Sequence, residues 1–92
     1  MIQTIIALGD EHDKITYFDF SKDGNRVVTV SGNDKIKFFL KKENKFELEK
    51  TFESPGRSFT KVLLDERNNQ ILGFDGETYV NFDLHTMKKK AE

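Results

Sequence analysis

The sequence predicts an all-β fold made of two four-stranded antiparallel units. Strand-length apolar segments recur about every ten residues with turn signals between them. No segment carries a helical period. The whole pattern then comes round again some 43 residues further on.

The elements run in order as follows. Residues 2–8 are an apolar run of strand length, and 15–20 are rich in aromatic and branched side chains. Asp23-Gly24 is a hairpin signal and leads into a strand over 26–30. Gly32-Asn33-Asp34 turns the chain into a strand over 35–40, and 41–44 is a polar loop. Residues 45–52 alternate with period two: Phe46, Leu48 and, beyond Lys50, Phe52 are assigned to one face, Glu47 and Glu49 to the other. Ser54-Pro55-Gly56 is a linker. Strands are predicted over 59–64, 70–74 and 77–83, separated by Asn68-Asn69 and Asp75-Gly76. Residues 87–92 read as a Lys-rich tail, with Lys88, Lys89 and Lys90 solvated.

Phe39 closes one strand and Phe82 closes its counterpart 43 residues later; Val28 and Ile71 share that offset. Ile15, Phe18 and Phe20 match Phe59, Val62 and Leu64 at 44 residues, which places one extra residue in the turn where Ser21–Gly24 becomes Asp65–Asn69. Short strands alone allow a sandwich, a barrel or a propeller. The repeat length selects the propeller, because a four-stranded blade takes about 40–45 residues. The chain is therefore one two-blade unit over 1–92, with repeats at about 1–44 and 45–86.

Composition narrows the function classes. Fifteen Lys and Arg against sixteen Asp and Glu leave a charge of −1, so no basic field argues for nucleic acid. There is no cysteine, which removes disulfides and thiolate metal sites and suits a reducing, intracellular compartment, cytoplasmic or nuclear. No apolar run approaches the roughly 20 residues that span a bilayer, and 2–8 lacks the basic leader and cleavage site of a signal peptide. Nine Phe, with no Trp and one Pro, supply the apolar mass. Phe18, Phe20, Phe39, Phe59, Leu64 and Phe82 are the expected core.

Asp13-Lys14-Ile15-Thr16-Tyr17-Phe18-Asp19-Phe20-Ser21-Lys22-Asp23-Gly24 resembles the first strand and turn of a WD repeat, with Lys22 where the family has proline. Ser31 to Phe39 resembles the stretch leading to that repeat's closing Trp-Asp, and Gly9–His12 stands where the family places Gly-His. The resemblance covers about residues 2–84. It implies that 1–8 and 45–52 are outer strands leading each repeat, and that the last outer strand is missing or supplied by another segment. It also implies a hydrogen-bonding role for His12, Thr29, Ser31 and Asn33. Phe39-Leu40 and Phe82-Asp83 replace the signature Trp-Asp, and the second repeat has no matching histidine.

Other polar groups have plainer readings. Asp10, Glu11, His12 and Asp13 are a solvated loop rather than a metal site, since adjacent residues rarely converge on one ion. Asp23 and Asp75 belong to exposed Asp-Gly turns, not to a shielded carboxylate pair. His85 is expected to be exposed. Lys35, Lys37, Lys41, Lys42, Lys45 and Lys50 lie among Phe38, Phe39 and Phe46, a combination that can bind single strands. Glu43, Glu47 and Glu49 dilute it to a solvated edge.

No catalytic, cofactor or metal constellation emerges. The expected function is a non-catalytic protein–protein interaction scaffold, a propeller segment of a longer ring or a multiprotein complex. Two blades alone leave a bare face at each end. A partner protein, the rest of a ring or a second copy of the chain must cover them. The rival reading is a self-assembling, lectin-like propeller that binds a small ligand such as a sugar; the nine Phe would then include a stacking pocket, although such sites favour Trp.

Overall fold

The computed structural model describes residues 14–31, 34–54 and 56–91. Within them the chain forms eight strands and no helix: β1 (Ile15–Phe20), β2 (Arg26–Ser31), β3 (Lys35–Lys42), β4 (Lys45–Glu53), β5 (Lys61–Asp65), β6 (Gln70–Phe74), β7 (Tyr79–Asp83) and β8 (Lys88–Ala91). They make two antiparallel meanders, β1-β2-β3-β4 and β5-β6-β7-β8. Each matches a four-stranded blade, and neither sheet closes on itself. The expected strand over residues 2–8 lies outside the described residues.

Turn chemistry explains why neighbouring strands pair as hairpins. In the β1–β2 loop the Ser21 hydroxyl donates to Asp23 (2.6 Å) and accepts from the Arg26 amide (2.9 Å), while Asp23 also accepts from the Asn25 amide (2.9 Å). Gly24 sits at φ 78°, a left-handed conformation that glycine adopts without penalty. In the β6–β7 loop Asp75 accepts from the amides of Glu77 (2.9 Å) and Thr78 (2.8 Å). Both Asp-Gly turns thus form as read from sequence.

The closing pairs align the two sheets residue by residue. Phe20 opposes Val27 as Leu64 opposes Ile71, so the first hairpins are equal in length. Val30 opposes Ile36 as Phe74 opposes Tyr79, across five residues in the first sheet and four in the second. The one-residue difference therefore falls between the second and third strands, not in the β1–β2 turn. Val27, not Val28, is the counterpart of Ile71. A β-bulge recurs at the same place in both sheets, between Phe38 and Phe39 opposite β4 and between Asn81 and Phe82 opposite β8.

That bulge overturns the single-face reading of 45–52. One extra residue reverses the alternation of everything beyond it. Phe46 and Leu48 share a face with Phe39, whereas Lys50 and Phe52 share the opposite face with Phe38 and Ile36.

The last outer strand is present. Lys88–Ala91 pairs with β7, so most of the expected Lys-rich tail is an edge strand. Asp83 makes the turn: it accepts from the His85 amide (3.2 Å) and the Thr86 hydroxyl (3.0 Å), and Met87 returns the chain at φ 59°. Lysines on an edge strand also discourage further strands from pairing.

Call the face of the first sheet that meets the second its front, and the face of the second sheet that meets the first its back. The front carries Val28, Val30, Ile36, Phe38 and Phe52; the back carries Val62, Leu64, Ile71, Val80 and Phe82, with Phe59 and Leu84 beside them. Phe82 spans the seam, its ring 4.8 Å from Phe52 and 6.4 Å from Phe59. Gly73 permits the closest approach. A Cβ there would lie 2.7 Å from the Phe59 ring and 2.8 Å from the Ile36 methyl. Polar ties frame this core. Asp19 accepts from the Leu64 amide (2.8 Å), and Glu66 accepts from the Lys22 amide (2.9 Å) and pairs with Arg26 (3.0 Å).

Four of the six expected core residues, Phe39, Phe59, Leu64 and Phe82, are buried. Phe20 is half-buried, in a smaller cluster with Val27, Phe39, Ile15 and Phe46 on the back of the first sheet. Phe18 is 41% exposed, because β1 turns it to that same outward face.

Candidate functional site

Among the described residues the exposed large apolar side chains are Tyr17, Phe18, Leu48, Leu63 and Tyr79. All but Tyr17 stand on the two outer faces. Leu63 and Tyr79 stand on the front of the second sheet, with the half-buried Leu72 and Phe74 between them. Tyr17 reaches the same region from β1. Together with Lys61 and Val62 these residues line a shallow cleft of about 210 Å³. Its floor includes the Phe74 and Tyr79 rings, 4.7 Å apart and tilted by 37°. Phe18 and Leu48 stand on the back of the first sheet, at the opposite end of the molecule.

Charge rims the front of the second sheet, while Lys37 stands within the back of the first, opposite Thr29. Beside the cleft, Asp75 is held down at about 2 by the Thr78 and Glu77 amides, and further by the Arg57 guanidinium. Arg57 also donates to the Thr78 hydroxyl (3.0 Å). Asp75 is thus ionised at neutral pH with its lone pairs engaged, a poor general base and a good turn-former. Asp65 is lowered by hydrogen bonds from Asn68 and Gln70, and Asp23 by those from Ser21 and Asn25. At the β3–β4 tip Lys42 pairs with Glu49 (2.8 Å), which raises the Lys42 pKa. The lysine-rich edge therefore carries both signs along its length.

Two of the four predicted hydrogen-bonding residues, Thr29 and Ser31, lie among the described residues. His12 and Asn33 lie outside the described residues, as do Asp10, Glu11 and Asp13. Thr29 and Ser31 are buried on β2, and among the described residues neither Thr29 Oγ1 nor Ser31 Oγ has a hydrogen-bond partner. Among the described residues no three His, Cys, Asp or Glu side chains gather as metal ligands, and no helix is long and apolar enough to cross a membrane.

Tyr17, Leu63, Leu72 and Tyr79 were not singled out from sequence. A signal for them exists. Val62-Leu63-Leu64 and Ile71-Leu72 are apolar on both faces of their strands, as expected when both sides of a sheet are destined for cover. No protein-family model matches this sequence, and no curated protein matches it.

Proposed function

We propose that this chain is a non-catalytic protein–protein interaction scaffold, a WD-repeat-like propeller segment that works within a longer ring or a multiprotein complex inside the cell. The observation that carries this reading is the front of the second sheet. Its centre is apolar and aromatic, with Leu63 50% and Tyr79 55% exposed. The equivalent apolar positions of the first sheet, Val28, Val30 and Ile36, are fully buried. A soluble sheet rarely leaves such a patch bare unless something binds there.

The test compares proteins captured by the immobilised wild-type chain with those captured by a Leu63→Glu, Tyr79→Glu chain of unchanged circular dichroism. Specific partners held by the first and lost by the second are expected. Equal capture by both would sink the reading. The aromatic cleft of Tyr17, Phe74 and Tyr79 favours the lectin-like rival as the second choice. Saturable binding to a glycan array, abolished by Tyr79→Ala, would put that rival first.

A further inference from the structure

At its apolar centre the front of the second sheet repeats the surface on which the second sheet is itself seated, with Asn81 where Phe38 stands and Leu63 where Asp19 stands. Val28, Val30 and Ile36 correspond to Leu72, Phe74 and Tyr79. The first three are fully buried, while Leu72 and Phe74 are half-buried and Tyr79 is exposed. The back of the first sheet repeats most of the back of the second, with Lys37 where Val80 stands. Phe18 corresponds to Val62, Phe20 to Leu64, Val27 to Ile71 and Phe39 to Phe82. Val62, Leu64, Ile71 and Phe82 all sit in the seam. Phe18 stands 41% and Leu48 52% exposed on the outer counterpart of that surface. One chain therefore holds one made interface and both halves of a second.

We propose that these two halves bind each other between copies of this chain. The front of the second sheet of one copy seats the back of the first sheet of the next. This rests on the reading that the outer faces are contact surfaces, and it names their partner as a second copy.

Such a contact is head-to-tail. Each bound pair still offers a free front at one end and a free back at the other, so association continues until a ring closes or a filament grows. A face of four short strands spans roughly 17 by 19 Å, or ~300 Å² a side, well under the ~800 Å² per partner of a standard interface. One contact is therefore weak, and a closed ring, in which every copy holds two, gains by avidity. The second interface is also not an atomic copy of the first. Thr29 stands where Gly73 does, so the sheets are held further apart along that row.

The experiment is sedimentation velocity on the full chain, up to ~1 mM, a range that reaches millimolar dissociation constants. The front variant carries Leu63→Glu and Tyr79→Glu; the back variant carries Phe18→Glu and Leu48→Glu. Wild type is expected to form concentration-dependent species larger than a dimer. Each variant alone is expected to stay monomeric. Mixed together they are expected to give a one-to-one dimer and nothing larger, since one intact front and one intact back remain. Where glutamate unfolds a sheet, threonine at the same positions keeps strand propensity and removes the apolar contact.

A wild-type chain that remains monomeric would overturn the proposal, as would association that survives both variants or a mixture that yields no dimer. The scaffold reading stands or falls separately, on whether the front variant loses other captured proteins.

Discussion

Thr29 and Ser31 each bury a hydroxyl that no group among the described residues answers. A buried, unsatisfied polar group costs about 1–3 kcal/mol, whereas an apolar group of the same shape costs nothing in hydrogen bonding. Thr29→Val is therefore expected to raise unfolding stability by ~1 kcal/mol in urea titration. A loss of that size would reveal a partner for the hydroxyl. Asp75 works in the other direction, since every bond to its carboxylate favours the ionised form. Its folded-state pKa of about 2 lies below the ordinary 3.8. A lowered acid stabilises the fold above its unfolded value, and that contribution is lost as the pH falls towards its folded value. Asp23 and Asp65 are shifted the same way. The urea midpoint should drop as the pH falls from about 4 to about 2, and Asp75→Asn should flatten that slope. A midpoint that rises on acidification contradicts this account.

At the scale of the element, seven of the eight strands are legible from apolar period and turn chemistry. Asp23-Gly24 and Asp75-Gly76 form the turns expected of them, because an Asp side chain can bond the next amides whatever the tertiary context. Two features escaped. The bulge opposite Phe38 and Phe39 is set by pairing between strands, so an alternation read along one strand could not register it. β8 is written in lysines, which have low strand propensity. Its formation rests on the Asp83 turn and on the ladder that β7 offers. Asp83→Ala should therefore fray β8 first. Hydrogen exchange should quicken at the Lys89 and Ala91 amides while the β5 and β6 amides keep their protection. Uniform acceleration across the second sheet would mean that Asp83 supports the whole sheet. The candidate site was half legible: the bare faces followed from counting two blades, but Tyr79 and Leu63 could be placed on one only once register was known.

For the molecule as a whole, stability is concentrated in the seam. A domain of this size is stable by about 5–14 kcal/mol, and truncating a buried Phe costs about 3–5 kcal/mol. Phe82 touches aromatic rings contributed by the first sheet and by the segment before β5. Phe82→Ala is expected to lower stability by ~3–5 kcal/mol and to loosen both sheets in a single transition, seen as coincident loss of far-ultraviolet circular dichroism and tyrosine fluorescence. Two separate transitions would show that each sheet is stable without the other.

Every described strand pairs within its own meander, and among the described strands the chain passes between the sheets once, between β4 and β5. Ser54 and Phe59 are anchored by burial, while Gly56 stands exposed with nothing within 4 Å of an added Cβ. The covalent connection there is a tether rather than a structural member. A chain nicked at Gly56 should leave two fragments that find one another again through the seam, each carrying a whole sheet. The peptide bond raises their effective concentration; the fit of front to back is what makes them one protein.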